Sequence, residues 1–194
     1  MCGILLTTNL EISKNKFLNA LKLMHHRGPD ASGYCQVDNV QLGHQRLKII
    51  DLDDRSNQPY KSRNKRYEIV FNGEIYNFKE LAKKFKIKQK TESDTEIIVE
   101  LYSKYGPKIV KWLNGMFAFA IYDSLKKEVF VARDRLGVKP LYMHQSNGEL
   151  SLASEMSSIL ELTDVTKFDS IGLRQYVKLR TFFNGRTAYE GIEM

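Results

Sequence analysis

The chain has 194 residues, 42% of them apolar and 27% charged, with a formal net charge of +7. That length and apolar share allow one substantial core. They exclude a largely disordered protein, and two cysteines (Cys2 and Cys35) without CxxC or His/Cys zinc spacing exclude a disulfide or zinc framework. No apolar run approaches membrane-spanning length, and no charged region followed by a long apolar stretch opens the chain, so neither a span nor a signal peptide is expected and the chain reads as cytoplasmic.

In chain order, Gly3 to Thr8 reads as a short buried strand. Phe17, Leu18, Leu21 and Met24 recur at helical spacing and predict a helix over 16–25. His26-Arg27-Gly28-Pro29-Asp30 is a breaker-rich loop. Ala31 to Val37, with Cys35 as a small strand residue, and Val40 to Ile50 are two strands around the turn at Asp38-Asn39. Residues 51–65 form a polar loop before a strand from Arg66 to Phe71. Asn77 with Glu80 has the form of a capping box for a helix through Lys83. Ser93 or Asp94 begins a helix that Gly106-Pro107 ends at Tyr105, and a short helical segment follows over 109–113. Gly115 to Asp123 is almost wholly apolar, a central strand with its hairpin partner at Glu128 to Arg133. Pro140 to His144 and Glu149 to Ala153 form a second hairpin around Asn147-Gly148. Short helices cover 155–162 and 169–179. Strands that arrive as hairpins with helices between them favour antiparallel sheets covered by helices over a doubly wound parallel sheet.

The two densest basic runs, Lys61 to Arg66 and Lys83 to Lys88, read as a loop and as a helix end running into an edge strand. Both are solvated surface, and no nucleic-acid motif accompanies them.

Removal of Met1 would leave Cys2 with a free α-amine beside its thiol. The unperturbed pKa values are about 7.7–8.0 for the amine and about 8.5 for the thiol, so the amine can act as base for its own nucleophile. With Met1 attached, that nitrogen is an amide and has no such capacity. Asn72-Gly73 at a strand end offers two neutral donors, the requirement of an oxyanion hole, but is equally the signature of a plain turn. The Arg46 fork suits a carboxylate or a surface ion pair. Asp94 suits an ammonium group or a helix cap. Arg133-Asp134-Arg135 reads as a structural charge network.

Taken together, these segments resemble one family. Cys2-Gly3-Ile4, His26-Arg27-Gly28-Pro29-Asp30, Gln45-Arg46-Leu47-Lys48-Ile49-Ile50-Asp51, Phe71-Asn72-Gly73-Glu74-Ile75-Tyr76-Asn77, Ser93-Asp94-Thr95-Glu96, Gly115 to Ala120, Arg133 to Gly137 and Ala153-Ser154-Glu155-Met156 are similar, in order and spacing, to the class II glutamine amidotransferase domain. The Arg-Gly-Pro-Asp form of the early loop points to its asparagine synthetase branch. The resemblance implies an α+β, four-layer αββα sandwich of two antiparallel sheets flanked by helices, the N-terminal nucleophile (Ntn) hydrolase fold. It implies a glutaminase domain over 2–162 and a C-terminal extension over 163–194 that begins the connection to an ATP-dependent synthetase domain.

The activity implied is hydrolysis of L-glutamine to glutamate and ammonia through a Cys2 thioester. Catalysis falls to Cys2, Asn72 and Gly73. Arg46 takes the substrate carboxylate, Asp94 and Glu74 its ammonium, and Leu47, Ile49 and Ile50 frame the pocket. No metal or organic cofactor is implied for this domain. ATP and Mg are expected only for the synthetase domain, whose Ser-Gly-Gly-x-Asp-Ser type loop does not occur in the sequence. No nucleic-acid or membrane partner is expected, and a homodimer is left open. Two other readings stand beside this one: a catalytically silent glutamine-binding regulatory domain, and an amidotransferase whose acceptor is a sugar or another non-aspartate metabolite.

Overall fold

Strand side chains alternate between two faces, and that alternation sorts this sequence into layers. The computed structural model describes residues 1–194. One sheet contains β1 (Gly3–Thr7), β2 (Ala31–Val37), β3 (Val40–Arg46), β8 (Tyr142–Ser146), β9 (Glu149–Ala153) and β10 (Ile192–Glu193), in the order β10-β8-β9-β1-β3-β2. The other contains β4 (Tyr60–Lys61), β5 (Tyr67–Ile75), β6 (Gly115–Asp123) and β7 (Glu128–Arg133), in that order. All pairings are antiparallel. Helices α1 (Lys14–Lys22) and α4 (Met156–Leu162) pack on the first sheet, and α2 (Phe78–Lys84) and α3 (Asp94–Tyr105) on the second. A fifth helix, α5 (Ser170–Leu179), precedes β10.

Three apolar clusters fill the spaces between the four layers. Ile4 and Leu6 of β1 meet Leu42 of β3, Val70 of β5 and Ala118 and Ala120 of β6 between the sheets. The intervening Leu5 packs outward with Phe17, Leu21 and Ile159. On the second sheet, Phe71, Ile75, Phe117 and Phe119 pack outward against Ile97, Ile98 and Leu101 of α3. Each such aliphatic or aromatic side chain removed from water contributes about 1.5–3 kcal/mol. The result is the α+β, four-layer αββα arrangement expected from the sequence.

The strands β2, β6, β7 and β9 coincide with their expected residues. Several local expectations need correction. β8 runs from Tyr142 to Ser146 and does not begin at Pro140, and the 51–65 stretch contains β4, which pairs with β5. β5 continues through Gly73 to Ile75 instead of ending at Phe71, because β6 pairs it along its whole length. β3 ends at Arg46, and residues 47–50 leave the sheet. Lys86 to Lys88 form no edge strand. Asn77 makes no side-chain cap; its amide instead donates to the Trp112 carbonyl (2.9 Å) and accepts from the Asn114 N–H (3.0 Å). Residues beyond Leu162 return to the first sheet, where β10 pairs with β8 and buries Ile192.

The Arg133–Lys139 loop is held by its own charges. The Asp134 carboxylate accepts from the backbone N–H groups of Phe117, Leu136, Val138 and Lys139 at 2.9–3.2 Å. Arg133 donates to the Gly137 and Lys139 carbonyls, both at 2.7 Å. Burial opposes ionisation of Asp134, but these donors outweigh it and its carboxyl lies below the ordinary value of 3.8. Replacement by Ala leaves buried donors without an acceptor, and Asp134→Ala is expected to cost about 2–4 kcal/mol in urea unfolding at pH 7. Because the folded carboxyl titrates below the unfolded one, this contribution is complete above the ordinary value and fades as pH falls past it, so the gap between wild type and variant should narrow near pH 3.

Candidate active site

The strand registers gather one polar cluster at an end of the inter-sheet space. In the β1–β3 ladder Gly3 lies opposite Gln45 and Ile4 opposite His44, so one step further brings Cys2 beside Arg46. Cys2 shares the inward parity of Ile4 and Leu6, and Asn72 that of Val70. A cleft here is lined by Cys2, Arg46, Leu47, Ile49, Ile50, Asn72, Gly73, Glu74 and Asp94. The structure therefore brings together every residue that the sequence singles out for the site. It adds Ser56, Gln58, Phe71, Ser93, Thr95 and Lys139, with Met1 at the mouth.

The Cys2 thiol rests against the backbone of one residue, Leu47. Its Sγ donates to the Leu47 carbonyl (3.7 Å) and accepts from the Leu47 N–H (3.4 Å). Burial pushes the thiol pKa up, and the Leu47 backbone and the Arg46 charge only partly offset this. A base is thus required to form the thiolate near neutral pH. The Cys2 carbonyl is fixed separately: Arg27 Nε donates to it at 3.0 Å. Arg27 in turn donates to Glu155 (3.1 Å), and His26 Nε2 lies 2.8 Å from the same carboxylate oxygen. Sequence reasoning assigned no role to Arg27 or Glu155, although both stand in segments that carry the resemblance.

Asn72 and Gly73, the two donors that the sequence offers, lie on β5 where one of its edges is uncovered. β4 covers this edge only at Glu68 and Ile69. Beyond it, side chains meet the backbone: the Phe71 N–H donates to Gln58 Oε1 (2.6 Å) and the Ile75 N–H to Asp94 Oδ2 (2.9 Å). By the same alternation the Gly73 N–H, which lies between them, points away from β6 and toward the cleft. A Cβ at Gly73 would stand 2.2 Å from the Met116 carbonyl oxygen, so only glycine permits this pairing with β6. Asn72 Nδ2 is a buried donor with no partner in the protein, and it lines the same cleft.

Arg46, Asp94 and Lys139 are buried, line this space and have no ion-pair partner, and the first two are held by neutral groups. The Arg46 guanidinium donates to the Asp53 carbonyl (2.9 Å), to Asn57 Oδ1 (2.7 Å), and to the Ile50 and Asp51 carbonyls. All are neutral acceptors, so the arginine staples the 47–57 loop while its positive charge stays unneutralised. Asp94 is freed from capping because Ser93 caps α3, its Oγ accepting from the Thr95 N–H (3.2 Å). Burial raises the Asp94 carboxyl to about 6, against backbone donors at Ile75 and Thr95, and the nearby Glu74 charge adds to the rise. A cation and an anion held apart in one small cleft are complementary to a zwitterion such as an α-amino acid. The structure gathers no group of three or more His, Cys, Asp or Glu side chains suited to a metal, and no helix is long and apolar enough to cross a membrane.

A cysteine near the N-terminus that shares a cleft with the unpartnered Asn72 amide and the Gly73 backbone, between stacked antiparallel sheets, fits the glutamine amidotransferase class. The match to the glutamine amidotransferase domain model extends over residues 1–194, and the chain belongs to that family. It is 40% identical over 175 residues to asparagine synthetase B [glutamine-hydrolyzing] of Escherichia coli, covering 86% of this chain and 31% of that protein. To asparagine synthetase [glutamine-hydrolyzing] 1 of Bacillus subtilis it is 36% identical, covering 82% and 26%. To amidase chyE of Penicillium rubens it is 37% identical, covering 86% and 26%. The chain thus spans about a quarter to a third of the length of these relatives. The fold is that of the glutamine phosphoribosylpyrophosphate amidotransferase of B. subtilis, with a TM-score of 0.72 at 21% identity, covering 83% of this chain and 43% of that one.

Asp94 gives the site a calculable pH response. Its folded pKa of about 6 exceeds the ordinary 3.8, so the ionised carboxylate weakens the fold as pH rises through that interval. Asp94→Asn should therefore be more stable than wild type at pH 8 and equal to it below about pH 4. An ammonium ligand reverses the preference. Calorimetric affinity for L-glutamine should fall as pH drops below 6, and Asp94→Asn should bind about 10–100-fold more weakly at pH 8 with that dependence lost.

Proposed function

We propose that this domain hydrolyses L-glutamine to glutamate and ammonia with Cys2 as nucleophile once Met1 has been removed. The observation that carries the proposal is the pairing of the Cys2 thiol with an unpartnered Asn72 amide and the free β5 edge at Gly73, flanked by the uncompensated Arg46 and Asp94 charges. Arg46 attracts the α-carboxylate. Asp94, with Glu74, holds the α-ammonium. Leu47, Ile49 and Ile50 frame the side chain and direct its amide toward Cys2.

The Cys2 α-amine accepts the thiol proton, and the sulfur attacks the side-chain carbonyl carbon. The resulting oxyanion receives hydrogen bonds from Asn72 Nδ2 and the Gly73 N–H. Collapse expels ammonia, protonated by the same amine, and leaves a γ-glutamyl thioester. Water, deprotonated by the amine, attacks the thioester. Glutamate departs and the thiol regains its proton. No step calls on a metal or an organic cofactor.

In a longer protein the ammonia would be handed to an ATP-dependent synthetase segment that uses ATP and Mg. Aspartate is the acceptor favoured by the two relatives named asparagine synthetases. The amidase name of a third, equally similar relative keeps other acceptors, sugars among them, in play.

Processed protein should release ammonia from L-glutamine, and Cys2→Ala should abolish release while glutamine still binds. Asn72→Ala should lower kcat about 100–1,000-fold with a smaller change in KM. Processed wild type that binds glutamine but never releases ammonia would instead identify a silent binding domain.

A further inference from the structure

We propose that His44 is a positioning residue for glutamine hydrolysis: its Nε2–H holds the Phe71 carbonyl, and through the Phe71–Asn72 peptide it sets the distance between the Cys2 thiol and the oxyanion donors. This inference rests on the glutaminase proposal above. His44 lies on β3 opposite Ile4, two residues beyond Cys2, while Phe71 lies on β5 directly before Asn72. The 3.1 Å contact between His44 Nε2 and the Phe71 oxygen therefore ties the sheet of the nucleophile to the sheet of the oxyanion hole. It acts where β5 has lost its edge partner, since β4 reaches no further than Ile69. Gln58 holds the Phe71 N–H from the same edge (2.6 Å) and is itself bonded to Thr95 (3.2 Å). Both polar groups of Phe71 on that edge are thus fixed by side chains, while the next such N–H, at Gly73, is left for substrate.

The chemistry of the ring agrees. A carbonyl oxygen only accepts, so Nε2 must carry the proton. Burial lowers the His44 pKa to about 3, so the ring is neutral at working pH and Nδ1 carries no proton. Nδ1 is buried without a partner, which a bare lone pair tolerates better than an N–H would. The neighbouring inward residues, Ile4 and Leu42, are apolar, and filling the core does not require a fully buried imidazole at this position.

The test compares His44→Gln, whose amide nitrogen reaches about as far as Nε2, with His44→Asn, whose amide falls short, both in processed protein. His44→Asn should lower kcat about 10–100-fold with KM for glutamine nearly unchanged. It should weaken by the same factor the γ-aldehyde analogue of glutamine, whose thiohemiacetal oxygen occupies the oxyanion hole, and His44→Gln should restore most of both. Equal kcat and equal aldehyde affinity in wild type and both variants would overturn the proposal. Should either variant fail to fold, the ¹⁵N spectrum of the wild-type ring decides. An Nε2–H tautomer unchanged from pH 5 to 9 supports the proposal, and an Nδ1–H tautomer or a titrating ring overturns it. Wild type that binds but does not hydrolyse glutamine sinks the glutaminase proposal itself; active wild type with an indifferent His44→Asn sinks only this one.

Discussion

Two sheets press their apolar faces together, and the register of β1, β3 and β5 decides what lies where that apolar packing stops. Along most of the interface, inward positions hold Ile4, Leu6, Leu42, Val70 and Ala118. At one end the same alternation presents Cys2, Arg46 and Asn72. A one-residue slip of β1 would turn Cys2 outward and exchange Ile4 and Leu6 with Leu5 between the inter-sheet core and the helix-covered face, so the packing that fits each side chain to its layer also enforces the geometry of the site. Cys2 and the Asn72–Gly73 donors come from different sheets, and their spacing follows from the packing between those sheets.

The electrostatics of the cleft depend on this rigidity. Arg46 and Asp94 each lie buried without an ion-pair partner, an arrangement that costs stability in the empty protein. Neutral hydrogen bonds hold each in place: carbonyls of the 47–57 loop around Arg46, backbone N–H groups around Asp94. An amino-acid zwitterion supplies both missing countercharges at once. The Asp134 pin and the Arg27–Glu155 pair fix the backbone around the cleft, at Lys139 and at Cys2.

Much of this was legible in the sequence. Hairpin signals and helical periodicity gave antiparallel sheets covered by helices, because alternation and amphipathic spacing are local patterns; the four-layer stacking was expected from the resemblance. The residues that line the cleft were legible because several short segments resembled one family in order and spacing. What stayed hidden depends on long-range pairing. The extension of β5 to Ile75 rests on β6, some forty residues away in sequence, so Asn72-Gly73 read as a strand end or a turn. Ser93 and Asp94 were indistinguishable as caps until the Ile75 N–H came within reach of Asp94. His44 and Gln58 carry no local signal, since their contacts with Phe71 arise only when distant segments meet. The Arg46 fork was legible as a candidate for a carboxylate; its hold on the 47–57 loop was not.

The central claim is that Cys2 is a substrate-directed nucleophile when it is the first residue. Intact-mass analysis before and after exposure to a diazoketone analogue of glutamine tests it most directly. The account predicts loss of the Met1 mass and one adduct, located at Cys2 and blocked by excess L-glutamine. A processed chain that gains no adduct, or gains one that glutamine does not block, would contradict it.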